Sequence, residues 1–154
     1  MNKRVEVTLS VPVVAPLLDV IKTAADSLQS ELAVPFPMKD LDPEFCATWS
    51  DELRTGQNED VRTLLALFGH EFLATGVIGF HDENAEAIVR ACSAVRLQLR
   101  AHPLAGLDDE TLEGGDVELT RLEESVRKAF MCYLFLATIQ ELIIQHLDSS
   151  ILDS

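Results

Sequence analysis

The sequence predicts an all-α fold: one helical, bundle-like domain over residues 1–154, with about five helices, a long central C-terminal helix and a short N-terminal strand. Three observations predict it. Apolar residues recur at three- and four-residue intervals over several separate stretches. Proline, glycine and capping residues punctuate those stretches. Only one short segment, at the start, alternates with the period of two that marks a strand.

That segment sets Val5, Val7 and Leu9 against Glu6, Thr8 and Ser10, the pattern of a half-buried strand. A lone strand needs a mate. With few other strand signals, the expected mate is the symmetry copy in a dimer or a short irregular segment. Ser10, Pro12 and Pro16 suit the mouth of a helix, where missing amide donors cost little. Leu17, Leu18, Ile21, Ala25, Leu28 and Leu32 then carry helix one over about residues 13–33. Val34-Pro35-Phe36-Pro37 ends it and opens a linker. Asp42-Pro43-Glu44 caps a second helix with the apolar face Phe45, Cys46, Trp49 and Leu53, closed at Gly56.

Asn58 reopens the chain, and Val61, Leu64, Leu65, Leu67, Phe68, Phe72 and Leu73 extend a third helix to about residue 74, with Gly69 inside it for close packing. Gly76 and Gly79 bracket an apolar turn. A fourth helix starts at Asp82 or His81 and runs to His102-Pro103 on the face Ala85, Ile88, Val89, Cys92, Val95 and Leu99. The segment 103–115 reads as a loop with a helical turn, anchored by Leu104, Leu107 and Leu112, and Gly114-Gly115 is its expected flexible point. From Asp116 a helical pattern holds for about thirty residues, roughly 45 Å at 1.5 Å per residue. Between 129 and 139 it is apolar all round, as for a helix wrapped by the others or by two subunits.

Composition narrows the function. The 154 residues carry 12 Lys plus Arg against 26 Asp plus Glu, a formal charge of −14. Nucleic acid and anionic membrane are therefore not the expected partners, because both are held by clustered cations. The three widely spaced cysteines Cys46, Cys92 and Cys132 fit a reduced, cytoplasmic setting better than a disulfide framework. Glu6, Pro12, Pro16 and Asp19 interrupt the N-terminal apolar stretch, which is read as part of the fold rather than as an export signal. The apolar run Ala129–Ile139 is too short to span a bilayer.

Phosphate loops, zinc-spaced Cys or His sets and serine elbows do not occur, so no cofactor and no metal are expected. His70-Glu71 lies midway along an apolar helix and could meet Glu141, Gln145 or His146 in a metal site, but the local spacing is not the Glu-x-x-His of helical di-metal bundles. Capping of a packing seam or exposure to water is the plainer reading. Arg90, Arg96, Arg100 and His102 make one stretch locally basic. Arg96 and Arg100 share a face, suited either to an anion or to pairing with nearby carboxylates. Trp49 with Phe45 and Phe36 is either packing for the short second helix or an aromatic anchor for a partner.

Charge is uneven. Residues 1–39 carry four acids and four bases, so the whole excess lies beyond them. Residues 108–124 hold eight acids and one base. Asp108, Asp109, Glu110 and Glu113 lead this strip, which is either a solvated face or a docking surface for a basic partner. These same four residues lack the oxygen-ligand spacing of a calcium loop.

The strand-like start, FCATWSDELR, the turn VIGF leading into HDENAEAIVRACSAVRLQLR, and the final AFMCYLFLATIQELIIQHL together resemble a bacterial family of mainly helical proteins, domain of unknown function 2017, over about residues 4–148. The resemblance implies an all-helical cytoplasmic protein with no assigned activity and no catalytic residues to carry over. In some relatives the gene lies near that of an adaptor for the Clp protease, which implies a role beside regulated proteolysis.

The expected function is a non-enzymatic protein-interaction or adaptor domain, contacting a partner through the 108–124 strip or the seam around the last helix. A homodimer is expected from that helix's length and from surplus apolar residues including Ile143, Ile144, Ile151 and Leu152. The alternative is a small-molecule-binding or enzymatic helical domain whose polar site draws His70, Glu71, Arg96 and Tyr133 together between helices. A metal-dependent bundle comes third.

Overall fold

The alternating start finds its mate inside the chain. In the computed structural model, which describes residues 4–29, 42–114 and 121–147, strand β1 (Arg4–Thr8) pairs antiparallel with β2 (Val77–His81). The register sets Val5 opposite Phe80 and Val7 opposite Ile78, so one face of the ribbon is apolar and packs on the helices. The VIGF segment is therefore a strand and not a turn. Its Ile78 and Phe80 are buried, and they supply the pairing that the expectation assigned to a second copy or an irregular segment. On the outer face Glu6 lies opposite Gly79, and the Arg4 guanidinium pairs with Glu6 while lying over the glycine.

Four long helices and two single-turn ones make up the helical part of the described residues: α1 (Val11–Leu28), α2 (Pro43–Ala66), α3 (His70–Thr75), α4 (Ala85–Ala101), α5 (Asp109–Gly114) and α6 (Glu124–His146). In α1 the buried residues Val14, Leu17, Leu18, Ile21, Ala24, Ala25 and Leu28 repeat with the helical period. Leu32, Phe36, Gly115, Ile151, Leu152 and the linker around Phe36 lie outside the described residues.

The expected second and third helices are one. α2 runs unbroken through Gly56, after Asp42 caps its start by accepting a hydrogen bond from the Glu44 amide at 2.8 Å. A mid-helix glycine costs about 1 kcal/mol relative to alanine. Here neighbouring contacts outweigh it: Gln57 Nε2 donates to the Leu28 carbonyl at the end of α1, and Asp60 holds Arg90 of α4. The break comes later, at Leu67 to Gly69, where two turn bonds tighten the chain and α3 restarts at His70. Gly69 is thus the cap of α3, not a close-packing residue within a helix; a Cβ there would meet only the Ala66 carbonyl oxygen, at 3.8 Å. The break lets Phe68 and Phe72 meet edge to face, centroids 5.3 Å apart, with Phe72 fully buried.

α4 begins at Ala85 because Asn84 is spent on the preceding turn. Its side chain accepts from the His81 amide and donates to the Gly79 carbonyl, closing the end of β2. Leu104 and Leu112 anchor the acidic segment in the core, and α5 is the helical turn expected there. α6 starts at Glu124 rather than Asp116, so it spans 23 residues and about 34 Å. Its length and hydropathy alone would suit a membrane span, yet Ala129, Phe130, Cys132, Tyr133, Leu136, Ile139, Gln140 and Ile143 are buried against the body, chiefly on α1 and α4. The helix is not covered all round: Met131 and Leu134 remain exposed.

Gly76 joins α3 to β2 with a φ of 75°, its amide bonded to the Phe72 carbonyl and its carbonyl accepting from the Leu9 amide at 2.7 Å. A Cβ there would sit 2.6 Å from the Leu9 carbonyl oxygen. Gly76→Ala should therefore destabilise the protein by about 1–3 kcal/mol. Gly56→Ala should stabilise it by up to about 1 kcal/mol, since nothing lies within 4 Å of the new methyl group. Urea unfolding followed by circular dichroism checks both signs.

Candidate functional site

The polar residues that the structure brings together are built on the facing sides of α4 and α6. Gln140, buried on α6, donates through Nε2 to the Val89 carbonyl at 2.9 Å and to Ser93 Oγ at 2.8 Å. Those two bonds orient the amide, and its oxygen accepts from Arg96 Nη1 at 2.7 Å. The Arg96 guanidinium lies 4.4 Å from the centroid of the Tyr133 ring. Arg96 Nε is buried and has no hydrogen-bond partner among the described residues. Ser93, Arg96, Leu97, Arg100 and Tyr133 line an open cavity of about 270 Å³.

His70 and Glu71 stand elsewhere. They line a separate cleft of about 250 Å³ with Arg4, Gly69 and Gly79, where α3 meets the ribbon. Both are exposed, at the first turn of a six-residue helix. The four candidate polar residues thus divide into two pairs: Arg96 with Tyr133, and His70 with Glu71. Among the described residues no group of three or more His, Cys, Asp or Glu side chains is arranged to hold a metal ion. Glu141 instead accepts from Gln145, one turn along α6.

The basic stretch of α4 also divides. Arg90 turns to α2 and forms a two-pronged pair with Asp60, at 2.9 and 3.0 Å, and reaches Glu86 on its own helix at 2.9 Å. Asp60 raises the Arg90 pKa further above its ordinary value. Arg96 turns to α6. Among the described residues it has no carboxylate within ion-pair reach, in contrast to Arg4, Arg54, Arg90 and Lys128.

Within the acidic strip, Asp108 acts locally. Its side chain accepts from the Thr111 amide at 2.7 Å and caps α5. Bonding to Thr111 holds its carboxyl below the usual carboxylate range. Glu110 is exposed. Asp109 and Glu113 lie on α5, and their side chains are outside the described residues, as is the stretch 115–120.

Sequence reasoning underrated one surface. The first half of α2 buries no residue before Val61, yet it carries Phe45, Trp49 and Leu53 four residues apart, with exposures of 48%, 40% and 39%. Phe45 and Trp49 stack edge to face at 5.1 Å. The signal was the spacing itself, which reads equally as core. A second surface had no local signal at all: a mainly apolar cavity of about 500 Å³ between α1, the end of α4 and the start of α6, bordered by Asp19, His102 and Lys128.

A family model described as a domain of unknown function, DUF2017, matches residues 12–147. The chain belongs to that family. No curated protein matches it, and no solved structure does.

Cys92 and Cys132 are buried between these helices, and burial pushes both thiols up to about 12. At pH 8 each should resist alkylation by iodoacetamide until the protein unfolds, because the thiolate is the reactive form. Both groups bind protons more tightly folded than unfolded. Their contribution to stability is therefore present below the ordinary thiol value of 9.0 and is lost as pH rises from there towards about 12. Mass spectrometry of alkylated peptides with and without urea checks the first outcome, and urea titrations at rising alkaline pH check the second.

Proposed function

We propose that this member of the DUF2017 family is a non-enzymatic protein-interaction domain, and that its main contact is the aromatic stripe Phe45, Trp49 and Leu53 on the first half of α2. The observation that carries this reading is the mismatch between that half-helix and its burial. Short helices are marginal in water and draw most of their stability from a packed apolar face. On this one Phe45 and Leu53 stay largely exposed, and Phe45 meets Trp49 edge to face. Aromatic side chains dominate the energetics of protein contacts, since they cover large area at little entropic cost.

Charge specifies the partner's chemistry. Residues 42–60 hold six acids and one base. The complementary surface has an apolar centre and a basic rim, in keeping with the basic partner expected from composition. Two copies meeting across this stripe would bring like charges together, which favours a different protein as the occupant. A homodimer remains a proposal for another face. One of its grounds has weakened, because α6 is 23 residues long and not thirty.

The double variant Phe45→Ala/Leu53→Ser tests the proposal. Both side chains are exposed, so thermal stability should change by less than about 1 kcal/mol. The variant should lose the proteins that the wild type retains from an extract of its own cells, and about 0.5 M salt should weaken the wild-type capture by screening the rim. An unchanged set of captured proteins would sink the assignment, as would a loss of stability of the size seen for core residues. Sedimentation at micromolar concentration reads the oligomeric state of both forms.

A further inference from the structure

The Arg96 guanidinium is held in place yet lacks a charge partner among the described residues. Tyr133 stacks against it and Gln140 anchors one end. The protein contains 26 Asp and Glu residues, but among the described residues none lies within ion-pair reach of Arg96. A partly buried cation without a counter-charge is costly, and its neighbours offset that cost only in part. Gln140 in turn cannot rotate without breaking its bonds to Val89 and Ser93. The donors at this place are therefore preorganised, as they are in a binding site.

We propose that the cavity lined by Ser93, Arg96, Leu97, Arg100 and Tyr133 binds a small free carboxylate. Arg96 supplies the planar fork: Nη1 is already bonded to Gln140, while Nη2 carries no bond to any other described residue. A carboxylate matches that fork in shape and charge. Ser93 Oγ accepts from Gln140, which leaves its own proton to donate to the ligand. Arg100 borders the cavity one turn further along α4, and Leu97 gives the ligand's carbon atoms an apolar wall.

Charge favours carboxylate over phosphate. A net charge of −14 penalises each further negative charge brought to the surface, and a carboxylate brings fewer than a phosphate dianion. The cavity, at about 270 Å³, limits the ligand to a small one, since those that enclose drug-sized ligands are larger. This site shares no residue with the α2 stripe, so it stands or falls independently of the interaction proposed above.

The test uses the full chain and sodium acetate, a monocarboxylate, as probe, read by nuclear magnetic resonance at the Arg96 Nε–H and the Tyr133 ring. Sodium phosphate and sodium chloride at matched ionic strength serve as the comparison. Acetate should shift both signals with saturation and a Kd of about 1 mM or tighter. Arg96→Lys, which keeps the charge but removes the fork and the ring stacking, should weaken binding about tenfold or more. Ser93→Ala, on an exposed position, should weaken it several-fold and serves in case Arg96→Lys does not fold. The proposal is overturned by a failure of acetate to shift either signal, by an equal response to chloride, or by undiminished affinity in both variants. Tighter binding of phosphate than of acetate would overturn the choice of carboxylate.

Discussion

Helix α4 can touch the other three long helices because much of its buried face is built from small side chains. Ala85, Ala91 and Cys92 let neighbouring backbones approach closely, while Ile88, Val95 and Leu99 fill the space between them. The contacts of α2 and α6 are made chiefly with this helix, while α1 packs on α6 as well as on α2 and α4. The polar features follow from the same helix. Arg90 and Arg96 are six residues apart, so they leave α4 on different flanks, and each meets whichever helix packs on its side: Asp60 of α2 for one, Gln140 and Tyr133 of α6 for the other.

That arrangement makes one arginine structural and leaves the other open to chemistry. Arg90 is satisfied by two carboxylates at a surface where such pairs contribute modestly. Arg96 meets an amide and a ring, neither of which carries a charge. The difference is one of surroundings, since the two side chains are identical. It also explains why the four polar residues first grouped together part company: His70 and Glu71 follow a break in the chain that turns them toward the two-stranded ribbon.

The ends of α2 show a parallel division. Its second half is held by Val61, Leu64 and the Asp60 pair. Its first half has an N-cap, a proline at the first turn and a local Arg54–Asp51 pair, all of them features that start a helix without burying it. Stability and accessibility are thus separated along one helix.

Much of the architecture was legible from residue spacing. The faces of α1 and α4, the cap at Asp42, the strand at Val5 to Thr8 and the leucine anchors at 104 and 112 all depend on local periodicity or local chemistry, which a sequence displays directly. What spacing left open was everything that needs a second element. Gly56 ends a helix by propensity, yet α2 continues because contacts with α1 and α4 outweigh about 1 kcal/mol. The VIGF segment, bracketed by glycines, became a strand because β1 was there to pair with it. The meeting of Arg96, Tyr133 and Gln140 joins residues 37 to 44 positions apart, whose directions are set only when α4 packs on α6. The sequence by itself determined that this chain is helical, acidic and amphipathic. Tertiary packing alone decided which polar groups meet, because a side chain's charge is written locally while its neighbours are not.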